Sequence, residues 1–394
     1  MRRRRPAERS RVAGRTGLSG LWDGAEHRTA GSTAARREEA GAGQRGGGRG
    51  SREPRNRILG VPTDDRGRTR AQAGPGRAER VATLGDWAEL LRLPAVLTVP
   101  GDALAGAAVV AGRPNSRTML AVGCSLCLYE AAMALNGWAD RVEDAVERPH
   151  RPIPSGRIRP DDALVAACAL TVAGLALAWR AGRPAFALAT SLAVTVWAYD
   201  LVLKDGVLGP VATAAARSLD LLMGAAATGG RIRPAAAPAV LLGSHTLAVA
   251  ALSREETRGG SALPASAALG TAAMLTGLLS RRPASPRRPA AEAETGSGAF
   301  TGATATAGWL TGSPHGAVRA AFAAAYAAAA ARPYAHAALN PSSSLIQRAV
   351  GRGIHATIPL QAALAARSGA VTTGLLTAFL APVAARYMRK VSVT

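Results

Sequence analysis

Residues 118–144, TMLAVGCSLCLYEAAMALNGWADRVED, join an apolar run to a cluster of charged side chains. The run from 118 to 138 is rich in Ala, Leu and Gly, and about 20 such residues suffice for a helix to cross a bilayer core of roughly 30 Å. Asp140, Glu143 and Asp144 follow it directly. The stretch therefore predicts a transmembrane helix that ends in an acidic site.

The rest of the chain repeats the apolar part of this pattern from residue 84 onward. Hydrophobic residues make up 48% of the 394 residues, and aromatic residues only 4%. Because hydrocarbon does not tolerate unpaired backbone groups and the sequence lacks strand-like alternation, helices are the expected spanning elements. We predict an all-α, polytopic membrane protein with about nine transmembrane helices. The predicted spans are 93–112, 118–138, 161–180, 184–203, 206–228, 236–252, 262–280, 316–332 and 368–387.

A further apolar stretch, residues 345–366, is ambiguous. Its first half carries polar side chains that are costly at the bilayer centre. They are Gln347, Arg348, Arg352 and His355. The stretch is therefore either a partial, interfacial helix or a tenth span.

The N-terminal segment differs from the membrane domain in composition. Residues 1–80 contain 20 Arg and 9 Asp or Glu, which gives half of the net charge of +22. With little apolar surface to bury, residues 1–83 are predicted to form a disordered, Arg- and Gly-rich tail. Except for Trp22, aromatic residues for base stacking are not interleaved with its arginines, which disfavours a nucleic-acid partner. The predicted membrane domain is 84–394, with a low-complexity loop insert at 281–314.

Three polar clusters occupy alternate joints between the predicted spans. NGWADRVED (136–144), YDLVLKD (199–205) and SREETRGG (253–260) follow the second, fourth and sixth spans. Alternate joints face the same side of a membrane, so the clusters are predicted to share one face and one cavity. Lys and Arg are almost equally divided between the two faces. We assign the motif face to the cytoplasm, and the protein to the plasma membrane, because the basic tail precedes the first span on that side.

The first cluster has the residue types of a metal–diphosphate site. Asn136, Asp140 and Asp144 recur every four positions, which aligns them along one stripe of a helix. Neighbouring carboxylates repel each other unless a cation lies between them, and Mg²⁺ prefers oxygen ligands that include phosphate. Ordinary solvation of acids in the headgroup layer would not require this alignment. Fork-shaped donors for phosphate oxygens follow at Arg148, Arg151 and Arg157.

The second and third clusters add further charged groups. Tyr199 could line the place where positive charge develops, since aromatic faces attract cations, and Lys204 could hold a phosphate oxygen. An interfacial Tyr with a snorkelling Lys is the alternative. Glu255 and Glu256 either hold a second magnesium ion or form a charged turn. Two further candidates for substrate contact are Asp200 and Asp205.

These motifs resemble those of a known family. The Asn136, Asp140 and Asp144 run with RPHRPIPSGRI (148–158) resembles the first aspartate-rich motif of the UbiA superfamily of intramembrane prenyltransferases, and YDLVLKD resembles its Tyr/Lys signature. The resemblance covers about residues 84–394, and an actinobacterial or EboC-like branch is the most similar. It implies nine transmembrane helices around a central cavity. It also implies a magnesium-bridged isoprenyl diphosphate and an aromatic or other lipophilic acceptor.

The resemblance also assigns roles to individual positions. It implies that the first cluster binds the metal and that the basic residues Arg148, Arg151 and Lys204 contact the diphosphate. Two departures stand out: Gly137 replaces a second Asp found in many members, and the second acidic motif is reduced. That motif here consists of Ser253, Glu255 and Glu256.

The sequence therefore predicts a magnesium-dependent enzyme that transfers an isoprenyl group from its diphosphate to a lipophilic acceptor within the membrane. The predicted catalytic residues are Asp140, Asp144, Tyr199 and Lys204. A non-catalytic transporter or lipid-binding protein is the alternative. Its usual mark, Gly- or Pro-broken helices paired across two halves, is not evident in the sequence.

Overall fold

The computed structural model describes residues 82–92, 98–258, 261–281 and 314–380, and every regular element in these ranges is helical. This confirms the all-α prediction. The predicted tail before residue 82 and the insert between 282 and 313 lie outside the described residues. In chain order the helices are α1 (Leu84–Leu90), α2 (Pro100–Ala111), α3 (Ser116–Ala139), α4 (Arg141–Glu147), α5 (Pro160–Ala181), α6 (Arg183–Ala198), α7 (Gly209–Gly229), α8 (Ala236–Ser253), α9 (Glu255–Arg258), α10 (Leu263–Ser280), α11 (Pro314–Leu339), α12 (Ser343–Arg367) and α13 (Val371–Leu380).

Five of these segments are long and apolar enough to cross a membrane, by length and composition. They are Ser116–Ala139, Pro160–Ala181, Arg183–Leu203, Arg233–Ser253 and Leu263–Ser280. The outer face of α5 exposes Val165, Val172 and Trp179 at 66%, 67% and 62%. Large apolar side chains repeated along one face fit a lipid surface better than water. These features support an integral membrane protein, while the count of nine spans stays a prediction.

The ambiguous stretch 345–366 lies within α12, a continuous helix of 25 residues. Arg352 and His355 are exposed on its outer side, whereas Ala356 and Gly353 are buried. The end of the helix is almost entirely enclosed, and Gln361 is fully buried. The stretch therefore lies in one complete helix, and both the interfacial helix and the tenth span stay predictions. The polar residues are accommodated because they project from one face of an otherwise buried helix.

Small residues allow the helices around the centre of the bundle to approach closely. A side chain at Gly106 of α2 would overlap the Leu221 carbonyl of α7, and one at Gly224 of α7 would overlap Ala103 of α2. In lipid, helix association depends on this kind of backbone approach, because the bilayer supplies no hydrophobic force between helices. The Gly- and Ala-rich composition of the spans thus places α7 directly against α2.

Candidate active site

The first cluster lies where the backbone changes from α3 to α4. Asp140 is the junction residue, with φ −86° and ψ 1°, so Asn136 and Asp144 belong to different helices. The helix that carries the predicted stripe is therefore interrupted at Asp140. The amides of Asp140 and Asp144 still donate to the carbonyls four residues earlier, at 2.9 and 2.8 Å. All three side chains remain enclosed, at 3%, 7% and 2% exposure.

The second cluster lies on a π-helical turn, Tyr199–Leu203, that continues α6. The Lys204 amide donates to the Tyr199 carbonyl at 2.9 Å, which adds one residue to the turn. Tyr199, Asp200 and Lys204 are all buried, whereas Leu201 is half exposed. Isolated π turns are frequent at functional sites because they re-aim side chains without ending the helix. Here the turn directs a phenol, a carboxylate and an ammonium group inward.

The two clusters meet through direct contacts. The Asn136 amide donates to Asp140 Oδ2 at 3.1 Å and to Asp200 Oδ1 at 3.3 Å. Lys204 Nζ forms an ion pair with Asp140 Oδ1. These contacts join the end of α3 to the π turn and confirm that the first two clusters share one site.

Asp144 organises the arginines that follow it. Arg151 Nη1 lies 3.1 and 2.8 Å from the two carboxylate oxygens of Asp144. Arg148 Nη1 donates to Asp144 Oδ1 at 3.3 Å. The Arg148 and Arg151 side chains are 27% and 13% exposed. Because both guanidinium groups converge on one buried acid, Asp144 orients two positive charges at the end of α4.

The third cluster lies against the loop that follows the π turn. Arg254 Nη2 donates to the carbonyls of Asp205 and Gly206 at 3.0 and 2.5 Å. The three clusters therefore share one face, as predicted. Asp205 itself is exposed, and its carbonyl rather than its carboxylate accepts this bond. The Ser253 hydroxyl donates to the Ala250 carbonyl of its own helix at 2.9 Å.

The oxygen groups fit a magnesium ion at one position. Asp200 Oδ2 is buried without a hydrogen-bond partner, and Asn136 holds Asp140 and Asp200 close together. Magnesium commonly takes one or two protein carboxylates and fills the rest of its octahedron with water and phosphate. Within the described ranges, no three His, Cys, Asp or Glu side chains converge as a metal group. Glu255 and Glu256 therefore do not join Asp140 and Asp200 in one such group.

Helix α1 packs against this site and explains the glycine at position 137. A Cβ on Gly137 would lie 2.7 Å from Leu90 Cδ1 and 3.3 Å from Ile153 Cδ1. The position therefore points toward α1 and toward the loop of residues 148–159, which contains Ile153. A side chain at this position would require Leu90 to move.

Arg157 secures α1 to the same loop. Its guanidinium contacts Asp86 Oδ1 at 2.9 Å and Glu89 Oε2 at 2.6 Å, and it also donates to the His150 carbonyl at 2.7 Å. The structure thus places Arg157 in an anchor for α1, instead of the predicted position beside phosphate.

A cavity extends from the π turn into the bundle. Its empty volume is about 1040 Å³ including its opening, and Tyr199 and Asp200 line one part of it. Most of the wall is apolar and comes from α3, α6, α7, α8 and α12. His245 also lines the wall, where its ring nitrogens lie 3.0 Å from the Tyr326 hydroxyl and 3.0 Å from the Gly353 carbonyl. A carbonyl only accepts, so Nε2 carries the proton and Nδ1 accepts from Tyr326.

Sequence reasoning missed a second set of charged groups in the cavity wall. Arg217 and Asp220 of α7 line the cavity, and Asp102 of α2 forms an ion pair with Arg217 at 2.9 Å. These residues lie inside predicted spans. Their signal was available, because an ionisable residue within a transmembrane run is itself a functional-site indicator.

Comparison with known proteins agrees with the motifs. The model of the UbiA prenyltransferase family matches residues 98–281, in agreement with the resemblance of the motifs. The chain is 39% identical over 128 residues to a protoheme IX farnesyltransferase of Acidiphilium cryptum, covering 31% of this chain and 40% of that protein. It is 44% identical over 71 residues to the bacteriochlorophyll synthase 33 kDa chain of Rhodobacter capsulatus, covering 18% and 23%.

The chain thus spans less than half the length of these curated relatives. A solved structure of a digeranylgeranylglyceryl phosphate synthase in membranes gives a TM-score of 0.49 at 15% identity, covering 73% of this chain and 99% of that one. The actinobacterial or EboC-like branch stays a prediction.

Proposed function

We propose that this chain, whose residues 98–281 match the UbiA prenyltransferase family, transfers an isoprenyl group from an isoprenyl diphosphate to a lipophilic acceptor inside the membrane. The observation that carries the proposal is the meeting of Asp140, Asp200 and Lys204 beside an apolar cavity. Charged groups bind the diphosphate at the motif face, and the cavity receives the isoprenyl chain and the acceptor.

In the proposed reaction, the bond between the allylic carbon and the diphosphate oxygen breaks, and both electrons leave with the diphosphate. An acceptor atom then supplies the electron pair of the new bond and releases its proton. Lys204, Arg148 and Arg151 stabilise the negative charge that develops on the leaving group. Tyr199 faces the carbon end, where its ring attracts the positive charge.

Asn136, Asp140 and Asp200 are the residues that would hold magnesium. When bound, the ion supplies positive charge next to the diphosphate oxygens. Asp144 acts through the two arginines that it orients. The low dielectric of the surrounding helices strengthens each of these charge interactions.

A turnover assay tests the proposal in membranes that contain the expressed full chain. Radiolabelled geranylgeranyl diphosphate and MgCl2 are added, and labelled lipid products are separated from unreacted diphosphate. Asp140→Asn should lower product formation by about 10²-fold or more, because it removes charge at the site of diphosphate binding. Asp162→Asn serves as the matched control, since Asp162 is an exposed acid at the start of α5.

We expect the control to retain wild-type turnover and EDTA to abolish turnover. Equal product formation by wild type and Asp140→Asn would overturn the assignment.

A further inference from the structure

The cavity contains a buried polar cluster at a distance from the proposed diphosphate site. Ser125, Arg217 and Asp220 line the cavity, and Asp102 lies directly behind Arg217. Ser125 and Asp220 are 2% and 6% exposed, and Asp102 is fully buried. We name these four residues the inner cluster. Burying charged groups in this position costs free energy, so the cluster is expected to have a function besides packing.

Two charged residues of the inner cluster form an ion pair with each other. Arg217 Nη1 lies 2.9 Å from Asp102 Oδ2. Gln361 Nε2 donates to Asp102 Oδ1 at 2.6 Å and to the Thr98 carbonyl at 3.1 Å, which holds Asp102 in place. The positive charge of Arg217 is therefore already matched by a carboxylate.

Asp220 is the residue of the inner cluster that can accept a further hydrogen bond. Its Oδ1 accepts a hydrogen bond from the Ser125 hydroxyl. Its second oxygen, Oδ2, accepts none from any described residue, and the side chain faces the cavity. Asp220 thus presents a carboxylate oxygen to whatever occupies this space.

The inner cluster is separated from the proposed site of bond cleavage. Ser125 precedes Asn136 on α3 by about three helical turns, which corresponds to roughly 16 Å along the axis. The apolar wall between them includes Leu128, Ala132 and Met133. A molecule held by the inner cluster can reach toward Tyr199, but its held end stays far from the diphosphate.

The charge of the inner cluster restricts what it can hold. The inner cluster contains two carboxylates and one guanidinium, and Arg217 is paired with Asp102. A carboxylate or phosphate placed beside Asp220 would therefore be repelled in a low-dielectric cavity. A hydroxyl would instead donate to Asp220, and both polar groups would then be satisfied. An isoprenyl tail offers no donor at all.

From these contacts we infer that the inner cluster binds the polar end of the acceptor, and that this end carries an uncharged hydrogen-bond donor such as a hydroxyl rather than an acidic group. This inference rests on the proposed function and specifies its acceptor. Asp220 accepts a hydrogen bond from the hydroxyl of the acceptor, and Ser125 orients Asp220. The acceptor atom that is alkylated lies at the opposite end of the molecule, toward Tyr199.

Binding of two matched probes tests this selectivity. The full chain in lipid nanodiscs is dialysed against 2,6-dihydroxynaphthalene or 6-hydroxy-2-naphthoic acid at pH 7, with empty nanodiscs as the reference for partitioning. The acid differs from the diol by one carboxylate in place of a hydroxyl. Wild type should bind the diol at least about tenfold more tightly than the acid.

Asp220→Asn should bring the two affinities close together, because the repulsion of the acid disappears. Thr246→Val is the control, since Thr246 lines the same cavity but donates to the Leu242 carbonyl of its own helix at 3.0 Å. The control should keep the wild-type ratio. Tighter or equal binding of the acid by wild type would overturn the inference, as would an unchanged ratio in a folded Asp220→Asn protein.

Binding of geranyl diphosphate with MgCl2 separates this inference from the proposed function. Asp220→Asn should bind the diphosphate as wild type does. Lys204→Ala should lose diphosphate binding but keep the wild-type ratio of affinities for the diol and the acid. If wild type fails to bind the diphosphate, the proposed function fails and this inference fails with it. If wild type binds the diphosphate but prefers the acid probe, the inference about the acceptor alone is overturned.

Discussion

The Asn136 amide lies 3.3 Å from Asp200 Oδ1, although 64 residues separate the two positions in the chain. The same amide donates to Asp140 at 3.1 Å, so one neutral side chain holds two carboxylates from different helices. This arrangement keeps two negative charges together without adding a third.

Replacing that amide by a carboxylate should make the fold depend on a divalent cation. Asn136→Asp removes the shared donor and puts three acids in one buried group, so the variant should unfold at a lower temperature than wild type in EDTA. Added MgCl2 should raise the unfolding temperature of the variant more than that of wild type. Circular dichroism melts in detergent with and without MgCl2 provide the measurement. Equal magnesium responses in the two proteins would contradict a cation position at Asn136.

Removing the Lys204 charge should be costly because it leaves Asp140 buried without its counter-ion. Lys204→Ala is expected to lower the free energy of unfolding by about 3–5 kcal/mol. The double variant Asp140→Asn with Lys204→Ala should recover roughly 1–3 kcal/mol of that loss. Reversible unfolding in mixed micelles measures both values. Glu147→Gln is the control, since Glu147 lies 3.9 Å from Arg148 in an exposed pair and should cost about 0.5 kcal/mol or less.

Strict additivity of the two single substitutions would contradict a direct Asp140–Lys204 interaction. This comparison does not depend on catalytic activity.

A side chain at Gly137 should displace Leu90. Gly137→Ala is expected to destabilise the protein by about 1–3 kcal/mol, because its Cβ would overlap Leu90. In a Leu90→Ala background, Gly137→Ala should cost less than it does in wild type, because the overlapping methyl group is gone. Gly270→Ala in α10 is the matched control, since a Cβ there meets nothing within 4 Å, and it should be neutral or stabilising. Unfolding temperatures of wild type, the three single variants and the double variant check the prediction, which is wrong if both glycine variants behave alike.

The anchoring of α1 should weaken at acid pH. A hydrogen bond from the Thr83 side chain is the largest cause that lowers the pKa of Asp86 below its usual value, and Arg157 adds to it. A lowered pKa in the folded state means that the ionised carboxylate stabilises the anchor above its ordinary pKa of about 3.9. That stability is lost as the pH falls from there through the folded pKa.

Acrylamide quenching of Trp87 on α1 measures this release, in a variant that keeps Trp87 as its single tryptophan. Quenching should increase as the pH drops below about 4. Arg157→Ala should raise quenching at neutral pH as well and reduce its pH dependence. A pH-independent signal in the parent protein would show that Asp86 does not hold α1.

The membrane fold and the first two motif clusters could be read from sequence because their signals are local. Apolar length identifies a spanning helix, and the spacing of Asn136, Asp140 and Asp144 places polar groups on neighbouring turns. Because the YDLVLKD cluster follows the fourth span and the first cluster follows the second, both were predicted to lie on the same face. The contacts of Lys204 with Asp140 and of Asn136 with Asp200 agree with that reasoning.

Other features depended on packing between distant segments. The break at Asp140 and the π turn at Tyr199 reflect how the helix ends are accommodated in three dimensions. Arg157 has the residue type of a phosphate ligand, yet its neighbours are Asp86 and Glu89. The spacing of residues in the sequence does not show which of these partners Arg157 contacts.

The sequence by itself determined that apolar helices carry paired acids and bases to one membrane face, because hydrophobicity and helical period are properties of single segments. The tertiary structure alone decided which polar and charged side chains contact each other. Arg217 is a lone cation within a predicted span until α2 places Asp102 beside it, and Asp220 is a lone acid until α3 brings Ser125. Electrostatic energy depends on distance and burial between segments, and these are fixed only when the helices pack.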